Sequence, residues 1–134
     1  MNRSASWLSI LAALLIAAAA GSPQNKSDSK WVAPADAAAK KNPLIGTSGA
    51  VGAGKKLFLR HCAECHGEDG AGIQDAADLR VLQVQNQSDG SLFWKMTNGN
   101  VKAGMPPFAR LSDTERWQIV CFVRTLKGDE HPEK

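Results

Sequence analysis

The sequence lacks a second pair of cysteine and histidine residues, a block of basic residues, and an apolar run long enough to cross a membrane. It holds three cysteines and three histidines, and its formal net charge is only +3. A structural zinc site needs four ligands, usually supplied as two such pairs. A net charge this small, without a cluster of basic residues, does not favour binding to nucleic acid. We therefore expect no nucleic-acid partner. The 134 residues are enough for one small domain.

The longest apolar run lies at the N-terminus, from Trp7 to Ala20, and follows the basic Arg3. A membrane-spanning helix needs about 20 apolar residues, so this run is short for an anchor. Small residues precede Gly21, a pattern typical of a secretory signal peptide over residues 1–20. No cysteine follows the run, which argues against lipid attachment. We expect an exported, periplasmic protein, and an uncleaved segment that holds it at the membrane is the alternative.

Three segments follow the signal in this interpretation. Residues 21–49 are rich in Ala, Ser, Lys and Pro, and are either a flexible linker or an N-terminal arm that lays Trp31 or Leu44 against the domain. Helical periodicity then extends over residues 50–128, the predicted domain. Residues 129–134 form a polar C-terminal tail.

The most informative stretch of the domain is Cys62-Ala-Glu-Cys65-His66. Two thiols three residues apart, with a histidine directly after the second, is the spacing at which c-type haem is attached. If the stretch is helical, positions i, i+3 and i+4 share one face. Both sulfurs can then bond the two vinyl groups of one porphyrin while the imidazole of His66 reaches the iron.

Other interpretations of the cluster explain less of it. Zinc would need further ligands, and the remaining candidates, Cys121, His61 and His131, form no pair. A thioredoxin-like redox pair requires a βαβ context and no adjacent histidine. A structural disulfide leaves His66 without a role. Cys121 itself lies on the apolar side of a helix and is predicted to be a buried, unreactive thiol, with intermolecular pairing as the alternative.

A second informative stretch contains Met105, which lies in a loop just before Pro106-Pro107. A methionine there has no helical face to fill. A thioether held by two prolines suits the sixth position of an iron whose fifth ligand is His66. Met96 falls on an apolar helical stripe instead.

Two helices are expected to pack on each other. The first, from about Val51, carries Gly54 and Phe58 on one stripe, which suits close crossing by another helix. The last begins at a capping box of Ser112 and Glu115, should end at Gly128, and carries Phe122 on its apolar face. Its charged and polar face should be left for solvent, namely Arg116, Gln118, Arg124 and Lys127. Between them we expect one short helix over residues 75–87 and another that begins near Ser88 and stops at Asn98-Gly99.

With these residues in place, the domain resembles the monohaem class I cytochrome c family, in its small bacterial periplasmic form. The resemblance covers about residues 50–128. It rests on motifs that follow the family's order, which are GKKLF from Gly54, CAECHG from Cys62, GAG from Gly70, GMPPF from Gly104 and WQIVCF from Trp117.

The resemblance implies an all-α, cytochrome c-like fold of three to four short helices around one covalently bound haem c with its iron. It also implies thioether bonds from Cys62 and Cys65, with His66 and Met105 as axial ligands. The expected function is one-electron transfer, with iron cycling between Fe(II) and Fe(III), and no enzyme activity. Redox proteins would be the partners, a dehydrogenase or reductase as donor and an oxidase as acceptor.

Two alternatives to a free carrier remain open. One is a haem subunit of a larger dehydrogenase or oxidase complex, and the other is a haem enzyme or gas sensor with a labile sixth ligand. The sequence also departs from the family twice. Glu68-Asp69 occupies the region where a proline often supplies the carbonyl that binds the imidazole, and Phe122 stands where the last helix usually has tyrosine.

Overall fold

The computed structural model describes residues 31–126, and this part of the chain is helical. Its six α-helices are α1 (Ala35–Ala38), α2 (Ala50–His61), α3 (Ala63–His66), α4 (Leu82–Gln85), α5 (Asp89–Asn98) and α6 (Asp113–Val123), with a 3₁₀ turn at Val101–Ala103. Three of these helices have ten or more residues, and the other three are single turns. Strand-like pairing within residues 31–126 is limited to one antiparallel bridge between Asn100 and Met105.

Helices α2 and α6 cross at a glycine, as the sequence predicted. A Cβ atom at Gly54 would lie 1.9 Å from the backbone oxygen of Gln118, so only a glycine allows this approach. One turn further along, the rings of Phe58 and Phe122 meet with centroids 5.1 Å apart. Phe58 is only 1 % exposed, which makes this crossing the centre of the core.

Helix α6 is buried on most of its surface. Its N-terminus has the predicted capping box, in which the side chain of Ser112 accepts from the amide of Glu115 and the carboxylate of Glu115 accepts from the amide of Ser112. The helix then contributes five of the ten residues of the core cluster, and the others include Phe58 from α2 and Phe93 and Met96 from α5. Phe93 and Trp117 stack with centroids 4.0 Å apart. The structure therefore packs α2 and α5 around a central α6.

Residues 31–49 pack against the domain. The indole nitrogen of Trp31 donates to the carbonyl of Gly99 at 2.9 Å, and Leu44 packs on the core. Asn42 is buried, and its amide nitrogen lies 3.2 Å from the Trp117 carbonyl and 3.2 Å from the sulfur of Cys121. Of the two alternatives for this stretch, the packing agrees with an N-terminal arm. Residues 21–30 lie outside the described part of the chain.

The predicted helix over residues 75–87 is wrong for most of its length, because only Leu82–Gln85 is helical. The side chain of Asp78 accepts from the amide of Arg80 at 2.8 Å, and the amide of Leu79 donates to the carbonyl of Gly70 at 2.7 Å. A side-chain acceptor of this kind competes with the helix for backbone donors. The stretch before α4 is therefore a loop folded back on the chain that follows His66.

The predicted solvent face of α6 is also wrong at Arg116. This side chain is 7 % exposed, and its guanidinium lies 4.6 Å from the centroid of the Phe93 ring. It donates to the hydroxyl of Thr97 and pairs with the carboxylate of Asp113. A buried arginine is tolerated when its charge is paired. Asp113 supplies that pair, and the buried Nε atom of Arg116 has no hydrogen-bond partner within residues 31–126.

The C-terminal end of α6 differs from prediction in a similar way. The helix ends at Val123, five residues before the expected Gly128, which lies outside the described residues together with Lys127. Arg124 is half-buried and donates to the carboxylate of Asp89 at 2.7 Å and to the carbonyl of Gln85 at 2.6 Å. The signal (1–20) and the tail (129–134) are likewise outside the described range, and these boundaries stay predictions.

Candidate haem site

The two motif cysteines lie on one helical turn at the end of α2. Cys62 separates α2 from α3, and its carbonyl accepts from the amide of Cys65 at 3.2 Å and from the amide of His66 at 2.9 Å. Both thiols are free, Cys62 half-buried against the core and Cys65 exposed. One short backbone turn therefore carries both cysteines and His66, the three residues that the sequence predicted as a unit.

The two thiols differ in their electrostatic environment. Burial, and then the neighbouring Cys65, raises the pKa of Cys62 to about 12. Burial disfavours the charged thiolate, because an ion loses more hydration than a neutral thiol does. The Cys62 sulfur therefore stays protonated in neutral water. A thioether bond at this position would replace an ionisable group with an apolar one, which suits its contact with the core.

The imidazole of His66 is oriented by a backbone carbonyl. Its Nδ1 atom lies 3.0 Å from the carbonyl oxygen of Ala77. We assign Nδ1 as the protonated donor in this contact, which leaves the lone pair of Nε2 free. The sequence named no carbonyl for this role, because Glu68-Asp69 stands where the family often has a proline. The structure supplies one eleven residues away along the chain.

Hydrogen bonds in the loop after the motif hold Ala77 in reach of the ring. The amide of Gly72 donates to the carbonyl of His66 and the amide of Ile73 to that of Cys65, both at 2.8 Å. The side chain of Asp78 then accepts from the amide of Arg80, directly after Ala77. The loop therefore returns to the motif. An aspartate can accept a hydrogen bond from the amide two residues further along, as Asp78 does from Arg80. This pattern is the signal from which the turn could have been predicted.

Met105 lies in the loop between α5 and α6, where its backbone is held on both sides. It pairs with Asn100 in both directions, with the Asn100 amide 2.8 Å from the Met105 oxygen and the Met105 amide 3.0 Å from the Asn100 oxygen. The side chain is half-buried and packs against the hydrophobic core. Met96, by contrast, is a buried core residue of α5, in agreement with its predicted place on an apolar stripe.

The residues around the motif suit a large apolar group. Cys62, Ala63 and Met105 all pack against the same core cluster. His66 offers a nitrogen lone pair and Met105 a thioether, a donor set that iron accepts in haem proteins. Cys121 is buried and contacts Asn42 instead. Within residues 31–126, no three His, Cys, Asp or Glu side chains cluster as a separate metal site. His131 lies outside this range.

No helix within residues 31–126 has the length and apolar character needed to cross a membrane. The expected signal lies before this range.

Comparison with known proteins gives consistent matches. A cbb3-type cytochrome c oxidase subunit named FixP from Rhizobium etli is 33% identical over 85 residues, which are 60% of this chain and 29% of that protein. Cytochrome c550 from Pseudomonas aeruginosa is 31% identical over 85 residues, 60% of this chain and 59% of that protein. The chain thus spans less than two thirds of the length of either relative.

Solved structures agree on the fold. Cytochrome cL from the methylotroph Methylophaga aminisulfidivorans superposes with a TM-score of 0.56 at 26% identity, over 65% of this chain and 59% of that one. The KustC0563 c-type cytochrome superposes with a TM-score of 0.52 at 30% identity, over 56% of this chain and 98% of that one. Both are c-type cytochromes, which confirms the predicted all-α cytochrome c fold.

A family model covers more than half of the chain. It is described as cytochrome c oxidase, cbb3-type, subunit III, and it matches residues 49–123. This range contains the crossing of α2 with α6, the two cysteines with His66, and the Met105 loop. The protein therefore belongs to the cytochrome c family, through this cbb3-type domain, a family that binds haem c covalently.

Proposed function

We propose that this protein is a periplasmic one-electron carrier in which His66 and Met105 are the axial ligands of the haem iron. The observation that supports this best is the 3.0 Å contact between Nδ1 of His66 and the carbonyl of Ala77. A histidine that binds a metal normally donates its other ring N–H to such an acceptor, which fixes both its tautomer and its orientation.

The loop of Met105 supports the second ligand. Its backbone is clamped to Asn100, and Pro106-Pro107 restrict the chain directly after it. A thioether on a rigid loop loses little conformational freedom when it binds. Haem c supplies the one-electron chemistry, and thioether ligation favours its reduced state. His66 and Met105 would hold the iron of this group, and the apolar residues beside Cys62 and Met105 would keep water away from it.

The test is the ferric absorption spectrum of the purified protein, compared with that of Met105→Ala. We expect a low-spin spectrum with the weak far-red band of methionine bound to iron. Met105→Ala should lose that band, bind imidazole or cyanide readily, and have a lower reduction potential. Met96→Leu is the control, since Met96 is buried in the core, and it should keep the band.

Two results would contradict the proposal. A high-spin ferric spectrum of the unsubstituted protein would favour the enzyme or gas sensor with a labile sixth ligand. A far-red band that survives Met105→Ala would mean that another residue is the sixth ligand.

We propose that partners bind weakly and transiently at the exposed haem edge near the thioether bonds. The chain without its signal carries a net charge of +2, since Arg3 is the one charged residue among the first twenty. Two haem propionates would bring the total close to zero. Electrostatic steering towards a donor dehydrogenase or reductase, or an acceptor oxidase, should therefore be weak, and association should change little with salt.

The match to FixP favours a second candidate, a haem subunit bound permanently to an oxidase. The two candidates differ in how the protein leaves the cell envelope. A free carrier should be released by osmotic shock and elute alone in size-exclusion chromatography. A bound subunit should remain with membranes and copurify, after mild detergent extraction, with terminal oxidase activity.

A further inference from the structure

The N-terminal arm touches the backbone that leads into the Met105 loop. The indole N–H of Trp31 donates to the carbonyl of Gly99 at 2.9 Å, across 68 positions of the sequence. The same indole ring has the ammonium of Lys95 4.7 Å from its centroid. Burial lowers the pKa of Lys95, so this cation lies against the ring partly out of water. Trp31 is therefore held by two contacts at the C-terminal end of α5.

Gly99 connects this arm contact to Met105. It has a left-handed φ of +65°, and a Cβ atom there would lie 2.7 Å from the carbonyl oxygen of Met105 and 2.6 Å from the backbone of Pro106. The backbone of Gly99 therefore lies close to the backbone of Met105 and Pro106, with no room for a side chain between them. The next residue, Asn100, forms the two hydrogen bonds that close the Met105 loop.

The arm is anchored at its other end as well. Asn42 is buried between the arm and α6, with its amide nitrogen 3.2 Å from the Trp117 carbonyl and 3.2 Å from the sulfur of Cys121. The hydroxyl of Ser88, at the start of α5, donates to the carbonyl of Ala38 at 2.6 Å. The arm therefore runs along α5 from its N-cap residue, Ser88, to its C-cap residue, Gly99, and Trp31 is its contact with the loop.

We propose that Trp31 is a positioning residue for the sixth iron ligand. Its N–H holds the Gly99 carbonyl and thereby fixes the backbone against which Met105 and Pro106 rest. The arm thus limits how readily the Met105 thioether leaves the iron. This inference rests on the axial ligation proposed above and adds to it a residue from outside the matched range 49–123.

Trp31→Phe is the main variant, because it keeps an aromatic ring for Lys95 and removes the N–H together with the five-membered ring that carries it. In the holoprotein we expect imidazole to displace Met105 at a roughly three- to tenfold lower concentration, the effect of losing one ordinary hydrogen bond. The far-red band should weaken, and the amides of Asn100 and Met105 should exchange hydrogen for deuterium faster. These readouts report on the loop and do not depend on turnover.

Asn42→Ala is the matched control, because it loosens the same arm at the end that does not touch Gly99. It should lower the melting temperature at least as much as Trp31→Phe while leaving imidazole displacement nearly unchanged. If both variants weaken the ligand in proportion to their loss of stability, or if Trp31→Phe leaves displacement and exchange unchanged, Trp31 has no positioning role.

The two proposals fail in different ways. If the unsubstituted protein lacks the far-red band and Met105→Ala does not alter imidazole binding, the ligand assignment is wrong and the positioning role falls with it. If the band is present and depends on Met105 but is indifferent to Trp31→Phe, only the positioning role is overturned.

Discussion

At the scale of single residues, the partners that matter most are far away in the sequence. The imidazole of His66 is oriented by Ala77, and the guanidinium of Arg116 is buried against Phe93 and Thr97. The motif itself identified His66, because its spacing to the two cysteines is local. The partners of Arg116 could not be predicted, since the burial of a charge depends on side chains brought in by another helix. The spacing of Asp78 and Arg80 indicates a turn beside Ala77, but it does not say which carbonyl faces His66, since every residue has one.

The capping box of α6 makes the stability of the protein depend on pH. Hydrogen bonds from the backbone amide of Ser112, and then from its hydroxyl, lower the pKa of Glu115. A carboxyl group whose pKa is lowered by folding stabilises the native state above its unfolded pKa of about 4.3, and this contribution is lost as the pH falls through the folded pKa.

We therefore expect Glu115→Gln to be less stable than the unsubstituted protein at neutral pH, and the difference to shrink below about pH 4. Chemical denaturation of both holoproteins across pH 3–7 measures this. Asp75→Asn changes an exposed carboxylate outside the helices and serves as the control. A difference that stays constant across this pH range would show that the carboxylate charge does not contribute to the cap.

At the scale of secondary-structure elements, the crossing of α2 and α6 depends on the absence of a side chain at Gly54. Periodicity and the Gly54–Phe58 spacing were enough to predict this crossing, and Phe122 is the partner they indicated. The helix N-caps could be predicted equally well, because the side chains of Ser88 and Ser112 each accept a hydrogen bond from an amide only three residues further along the chain. The loop over residues 75–81 could not, because the contacts that fold it back on the chain, from the amide of Leu79 to Gly70 and from His66 to Ala77, reach residues outside the loop.

Gly54→Ala should separate the two helices. The added Cβ would lie 1.9 Å from a backbone oxygen of Gln118, which cannot move without shifting α6. Overpacking of a core contact costs roughly 1–3 kcal/mol, and a backbone clash belongs at the upper end. Denaturant melts of the holoprotein, read by circular dichroism, measure the loss.

Gly52→Ala is the control in the same helix. Nothing lies within 4 Å of a Cβ at this position, and it should gain about 0.5–1 kcal/mol from the better helix propensity of alanine. Equal losses for the two variants would mean that the crossing tolerates a methyl group and that α2 itself is the sensitive element.

At the scale of the whole molecule, the domain should depend on its haem for stability. Domains of this size have a marginal core and usually need a covalent or metal staple. In this chain the half-buried Cys62 and Met105 border the same core cluster as Phe58 and Phe122. A covalently held porphyrin would therefore extend that core.

The double variant Cys62→Ala/Cys65→Ala, which cannot hold the group covalently, should be unfolded or molten. Near-ultraviolet circular dichroism and thermal melting of the purified apoprotein test this. A cooperative melt with a native tertiary signal would show that the helices fold stably without haem.

The crossing of α2 with α6 also affects the order in which the core and the haem attachment form, because the two helices lie at opposite ends of the domain sequence. The ribosome synthesises the chain from its N-terminus, so Phe58 and the motif emerge well before Phe122, the residue that covers Phe58 in the finished core. Until α6 has been synthesised, the contact between Phe58 and Phe122 cannot form, and contacts so distant in sequence form late. In that interval Cys62 is not yet held in the environment that raises its pKa to about 12. The late arrival of α6 therefore leaves a period in which the thiols are accessible for attachment, and in a chain whose core depends on haem this period lasts until the haem is bound.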